Sequence, residues 1–283
     1  MRLPDYHTHT ARCGHAQGQP ADYVAAAQAL GLRAIGIADH LPLLPEPDPE
    51  LSMDASDLAD YVSEVRGLRT AHPGYVLLGI EADYRPHTIS DVRSLLEEHP
   101  FDYTIGSVHH LGEWGFDDPR QIDEYEDREI DDVWVEYLEL VGDAAETGLF
   151  TVLGHLDLVK KFGFRPTRTL KVELDHLVSR VARTGVIVEI NTAGLHRPVK
   201  EAYPAADILA LLNEAGAAIT FGSDAHRPEE VGRDFSHAVG LAHAAGYREF
   251  ASLEIDPAGG RARPHLRPLT PRRSCRSPRD PLP

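Results

Sequence analysis

Short apolar runs alternate with stretches of helical spacing seven times along this chain, and few architectures accept such a pattern. The runs are Leu3–His7, Arg33–Ala38, Val76–Ala82, Tyr103–Val108, Thr151–Gly154, Val186–Ile190 and Ala218–Phe221. Their length and β-branched content suit buried strands. Between them, Ala21–Leu30, Asp54–His72, Ile89–Glu98, Asp131–Thr147, Leu170–Arg183, Ala205–Glu214 and Glu229–Ala245 read as helices. Gly31, Gly185, Gly216 and Gly246 stand just past helix ends, where a C-terminal cap is expected. The alternation calls for parallel strands joined by right-handed helical crossovers. An open doubly wound sheet and a closed barrel both satisfy it. The glycine fingerprint of a dinucleotide fold is missing after the first run, where His7-Thr8-His9-Thr10 stands instead. Strand count and the placement of polar residues favour an α/β barrel of seven or eight units.

The polar residues at the ends of the runs are of one chemical kind. The first run ends in His7 and His9, the second in Asp39 and His40, and the third holds Glu81 and Asp83. His109 and His110 close the fourth, His155 and Asp157 the fifth, Glu189 and Asn191 the sixth, Asp224 and His226 the seventh. In a parallel barrel these ends share one face. Histidine is about one residue in eighteen of this chain, so its recurrence at the run ends is not scatter. Imidazoles and carboxylates gathered in this way suit zinc, manganese or iron. Residues i and i+2 of a strand point to the same side, so His7 and His9 can reach one ion, as can Asp224 and His226. Glu81 has two oxygens and can bridge two ions. Two such ions suit a phosphoryl transfer.

Other polar residues are read more plainly. His72, His87, His99, His176, His237, His243 and His265 follow no strand and read as ordinary surface or hydrogen-bonded histidines. Asp39 and Asp157 are expected to orient ligand histidines. His110 is expected to point away from His109, and Cys13 to be an inert thiol. Arg197 is the first candidate for a phosphate clamp, because guanidinium matches phosphate bidentately. Lys160, Lys161 and Arg165 are further candidates. Glu189, Asp83, Trp114 and Phe116 could meet a cationic part of a substrate.

The formal net charge of −17 argues against a general nucleic-acid binder. No apolar run is long enough to span a bilayer, and no secretory signal is visible, so a cytoplasmic protein is expected. Two cysteines, Cys13 and Cys275, give no disulfide framework. Residues 257–283 carry seven arginines and seven prolines against one acid, and read as a disordered tail outside a 1–256 domain. Oligomeric state is not legible.

These residues, in this order, resemble the PHP (polymerase and histidinol phosphatase) family, and within it the stand-alone histidinol-phosphatases of histidine biosynthesis. The matching stretches are Asp5–Thr10 with Cys13–Ala16, Ala38–His40, Gly79–Tyr84, Gly106–His109, Gly154–Asp157 and Gly222–His226. Trp114–Asp117, Leu158–Gly163 and Asn191–Leu195 point to the histidinol-phosphate branch. The resemblance covers residues 3 to 250. It implies a distorted (β/α)7 barrel with two or three divalent ions in one cleft. One ion would be held by His7, His9, Glu81 and Asp224, a second by Glu81, His109 and His155, a third by His15, His40 and His226. The implied activity is hydrolysis of L-histidinol phosphate, with Glu81, His109, His155 and Asp224 as the catalytic set. The alternatives are a PHP phosphoesterase acting on nucleotides or nucleic-acid ends, and a non-catalytic domain in which ions only hold the fold.

Overall fold

The computed structural model describes residues 2–255 and 260–269. Its strands are β1 (Ile35–Ile37), β2 (Val76–Leu78), β3 (Glu81–Asp83), β4 (Ile105–Ser107), β5 (His110–Leu111), β6 (Trp114–Gly115), β7 (Val152–Leu153), β8 (Ile187–Asn191), β9 (Ile219–Gly222), β10 (Glu249–Glu254) and β11 (Arg263–Pro268). The helices are α1 (Pro20–Leu30), α2 (Leu58–Ala71), α3 (Ile89–Glu98), α4 (Ile130–Glu146), α5 (Lys171–Thr184), α6 (Ala206–Glu214) and α7 (Phe235–Ala244). Each helix buries its apolar stripe, as α2 does with Leu58, Tyr61, Val62 and Val65, and α4 with Val133, Trp134, Tyr137, Leu138 and Val141. Among the described residues, no helix is long and apolar enough to cross a membrane.

The seven runs follow one another in a ring. Strands β3, β4, β7, β8 and β9 form one parallel sheet in that order, and β1 pairs in parallel with β2. Between β1–β2 and β3, Glu81 N–H donates to Asp39 O and Leu41 N–H to Glu81 O. The first run is not a regular strand. It is an extended segment held by isolated bridges, Asp5 to Ile35 on one side and Thr8 to Ala225 on the other. Tyr6 N–H donates to Phe221 O and Gly36 N–H to Asp5 O, so this segment joins the last run to the second. The links are local rather than continuous ladders, and in this sense the barrel is distorted.

Two tyrosines, Tyr6 and Tyr103, pack among aliphatic side chains of the strands, including Leu77, Ile105, Val152 and Ile187. Tyr103 is fully buried and its hydroxyl donates to Tyr6 O at 2.5 Å. It fits because Gly36 and Gly79 flank it: a Cβ on Gly36 would lie 1.9 Å from the Tyr103 hydroxyl, and one on Gly79 2.3 Å from its Cζ.

Three expectations are corrected here. Strand β10 was not foreseen, and its partner β11 lies within the stretch expected to be a disordered tail. Residues 260–269 belong to the fold: β11 pairs antiparallel with β10, Ala262 N–H donates to Asp102 O, and Leu269 is buried. Tyr6 and Arg33 hold β10 against the N-terminal ends of the strands. The remainder of the 257–283 stretch lies outside the described residues. The last helix begins at Phe235, not Glu229, because Gly232 and Asp234 take left-handed backbone conformations that break a helix there.

Candidate metal centre

The C-terminal ends of the strands converge on a cavity of about 280 Å³ whose floor is a cluster of imidazoles around Glu81. Glu81 opens β3 and is buried. Its Oε2 lies 3.2 Å from His7 Nε2, 3.4 Å from His9 Nε2 and 3.0 Å from His40 Nδ1. Its Oε1 lies 3.0 Å from His155 Nε2 and 3.8 Å from His109 Nε2, and accepts from Ser107 Oγ. The two oxygens therefore face two different sets of imidazoles. Asp224 Oδ1 lies 3.2 Å from His9 Nε2 and 3.8 Å from His7 Nε2. On the outer side, His15 Nε2 and His226 Nε2 are 3.0 Å apart, and His40 joins them within ligand distance of a common point. All nine residues expected as metal ligands are brought together.

The donors fit a divalent ion. His7 Nε2, both ring nitrogens of His9, His155 Nδ1 and Glu81 Oε2 are buried and have no hydrogen-bond partner among the described residues. Such atoms are costly to bury unless something pairs with them. Several triads, among them His7-His9-Asp224, His7-Glu81-His155 and His15-His40-His226, could each hold an ion. Electrostatics divide the imidazoles: burial lowers His7, but Glu189, Glu81 and Asp224 outweigh it and carry it well above the usual histidine range. Burial pushes His40 down to about 3 and His9 well down, the latter with help from His40 and His226, which favours neutral, ligating imidazoles. Burial raises Glu81, but His7 and His40 outweigh it and hold the carboxylate well below the usual range. Burial lowers His109 as well, yet Asp83 outweighs it and carries His109 up to about 10.

The backbone is bent to present these groups. His155 and Asp224 have positive φ, 21° and 53°, a region few non-glycine residues enter. Asp5 holds the bend before Asp224 by accepting from Ser223 N–H, Ser223 Oγ and Gly232 N–H.

The residues that orient the ligands are not the ones expected. Asp39 accepts from Thr10 N–H and Thr10 Oγ, and Asp157 from Lys160 Nζ and Ala205 N–H; neither touches an imidazole. Glu189 and Asp83 do this work instead. His7 Nδ1 donates to Glu189 at 2.8 Å and His109 Nδ1 to Asp83 at 2.6 Å, leaving each Nε2 turned toward Glu81. The i, i+2 rule that paired His7 with His9 also relates Glu81 to Asp83 and could have identified the latter. His110 does not point away: its Nδ1 bonds the other oxygen of Asp83, at 3.1 Å, and the residue lines the cavity. Cys13 is buried near His9 and His226, and burial pushes its thiol up to about 12.

The walls of the cavity come from Leu43, Glu50 and Leu51 before α2, from Gly115 of β6 with Asp117, Asp118 and Pro119 after it, and from Leu158, Lys161, Ala193, Arg197 and Tyr203. Arg197 has no carboxylate partner among the described residues. Lys161 also lines the cavity, with its ammonium on Asp117 at 2.9 Å. Lys160 and Arg165 are not brought there. Lys160 is fully buried against Asp157, and Arg165 pairs with Glu201 at 2.7 Å. Trp114 and Phe116 are buried in the core, away from the cavity wall.

The PHP domain family model matches residues 5–193. A probable histidinol-phosphatase of Deinococcus radiodurans is 42% identical over 242 residues, covering 84% of this chain and 91% of its own length. One from Schizosaccharomyces pombe is 27% identical over 278 residues, covering 89% and 90%. Among solved structures, a crystal structure of histidinol phosphate phosphatase from Lactococcus lactis has a TM-score of 0.76 at 24% identity, covering 89% of this chain and 97% of that one. That protein was crystallised with zinc, L-histidinol and phosphate.

Proposed function

This chain belongs to the PHP domain family, and from that premise we propose that it is a histidinol-phosphatase, hydrolysing L-histidinol phosphate to L-histidinol and phosphate. The observation that carries the reading is a small-molecule cavity with a dense imidazole and carboxylate floor and, on its wall, the guanidinium of Arg197, which has no carboxylate partner among the described residues. The 42% identity to the Deinococcus relative supports the same substrate.

Two or three divalent ions (zinc, manganese or iron) would be held by His7, His9, Glu81 and Asp224, by Glu81, His109 and His155, and by His15, His40 and His226. When bound, they supply a hydroxide at neutral pH and neutralise charge on the phosphoryl oxygens. Glu81, His109, His155 and Asp224 set the positions of the reacting groups. Arg197 takes two phosphoryl oxygens through its planar fork. Lys161 adds positive charge nearby, held by Asp117. Glu50 and Asp118, two carboxylates on the one Arg120 guanidinium at 2.6 and 2.7 Å, leave net negative charge on the wall, which suits the ammonium and imidazole of the substrate. A chain of −17 can thus bind an anion, because the cations sit at the mouth.

The test is phosphate release from L-histidinol phosphate compared with a panel of nucleoside monophosphates, with and without chelator. Rapid, chelator-sensitive release from L-histidinol phosphate alone is expected. Faster release from a nucleotide would overturn the substrate, and turnover unaffected by metal removal would overturn the site.

A further inference from the structure

Two of the segments that mark the chain, Leu158–Gly163 and Asn191–Leu195, give Leu158, Lys161 and Ala193 to the cavity wall, and both are also built around the same neighbour. Lys160 donates from Nζ to Ala202 O at 2.8 Å and lies 5.4 Å from the centre of the Tyr203 ring, its charge balanced by Asp157 at 2.8 Å. Asn191 exchanges backbone hydrogen bonds with Tyr203, at 2.7 and 2.9 Å. Gly194 clears the ring: a Cβ there would come within 2.8 Å of Tyr203 Cε2 and 2.1 Å of Glu201 O. The ring stands edge-on to His155, with centroids 6.3 Å apart and planes at 78°. A charged lysine, a backbone bridge, a glycine and a ligand histidine thus fix one tyrosine.

What they fix is a hydroxyl that no described residue pairs with. Tyr203 is 1% exposed and lines the same cavity as Arg197, and its hydroxyl has no hydrogen-bond partner among the described residues. A buried phenol ordinarily finds a partner. Tyr6, Tyr23, Tyr61, Tyr103 and Tyr137 all do so in this molecule. Tyr75 and Tyr247 share the lack of a partner, but neither lines the cavity.

We propose that the Tyr203 hydroxyl donates a hydrogen bond to a phosphoryl oxygen of the bound substrate, together with the Arg197 guanidinium. The assignment rests on the phosphatase reading for the identity of the anion, and on the cavity geometry for the residue. It makes Tyr203 a substrate-binding residue that the run ends could not reveal, because it lies in the loop beyond the sixth run.

Tyr203→Phe removes the hydroxyl and keeps the ring. The first measurement is titration of inorganic phosphate into the metal-loaded protein, which needs no turnover. Binding should weaken about tenfold or more, the range for a hydrogen bond to a charged group, with metal per chain and Tm unchanged. The second is kcat/KM for L-histidinol phosphate and for p-nitrophenyl phosphate, which should fall with both esters. Phosphate binding and kcat/KM equal to those of the parent protein would overturn the proposal. If the parent protein turns over the aryl ester but not L-histidinol phosphate, the substrate reading fails by itself, and the phosphate titration still decides the role of Tyr203.

Discussion

His7 is useful as a ligand only if the proton on its ring stays on Nδ1, and Glu189 provides for that. One carboxylate oxygen takes the His7 Nδ1 proton at 2.8 Å, while the other takes His155 N–H at 3.1 Å and the Asn191 amide at 3.0 Å. Glu189 thereby links the orientation of His7 to the strained turn at His155. Glu189→Gln replaces an acceptor with an amide that must turn its NH2 toward a donor. We expect it to weaken metal retention or activity about 10–100-fold, the usual effect of losing such a partner, with the fold intact; metal analysis after dialysis and phosphate release check it. His7, His9, His40, His109, His155 and His226 were legible in the sequence because each follows an apolar run, whereas His15, in a loop, was legible only through the family resemblance. Their partners were not, because Asp39 and Asp157 stand in equally suggestive places. Only the direction of each side chain shows that Asp39 turns to Thr10 and Asp157 to Lys160. Lys160 was misplaced for the same reason: adjacent lysines at a loop start look alike until one is seen to be buried.

The strands show how closely small residues and large ones are matched across the ring. Tyr103, preceding β4, occupies space that Gly36 of β1 and Gly79 after β2 leave open. Gly36→Ala would force the ring aside and break its bond to Tyr6 O. The expected cost is about 1–3 kcal/mol, typical of overpacking, read from chemical denaturation. Combining it with Tyr103→Phe should cost less than the sum of the two single changes, since they share one contact. The β10–β11 hairpin gives a pH-dependent counterpart. Arg267, with Arg33 at 3.0 Å, holds the Glu254 carboxylate below its usual range. A depressed carboxylate stabilises above its unfolded pKa, roughly 4.3, and this is lost as pH falls through the folded value. Amides of β10 and β11 should therefore exchange faster in Glu254→Gln than in the parent at pH 7, and the difference should shrink as the pH falls below roughly 4.3. This hairpin escaped the sequence reading because it interrupts the alternation. β10 follows a helix as a strand should, but β11 sits amid proline and arginine, where charge and composition suggest an unstructured tail. Its pairing comes from backbone bonds and from Leu269, which are indifferent to that composition. The seven main runs were legible because they must be apolar on both faces. The first was nevertheless expected as a regular strand, and it is an extended segment serving two neighbours by single bridges.

The molecule as a whole joins distant parts of its chain in two ways, through the ring and through the cluster at its mouth. The ring closes where Tyr6 N–H meets Phe221 O and Gly36 N–H meets Asp5 O, single bonds rather than long ladders. The cluster spans the same junction, because His7 and His9 come from the first run, Glu81 from the third, and Asp224 and His226 from the last. Ions bound there would therefore act as cross-links exactly where the backbone bonding is sparse. They would also pair the buried donors of His7, His9, His155 and Glu81 that otherwise lack partners. The unfolded chain cannot present these ligands together, so binding favours the folded state alone. At a free ion concentration about a hundred times the dissociation constant, one site adds roughly 2.7 kcal/mol. In a domain of this size each kcal/mol moves Tm by about 2–4 °C. Exhaustive chelation should then lower Tm by at least about 5 °C and abolish phosphate release together, and restoring zinc, manganese or iron should recover both. A chelated protein that melts at the original temperature while losing its activity would mean that the ions serve chemistry without bracing the ring. One that keeps both would mean that the convergence of nine ligands from separate runs has no ion to hold.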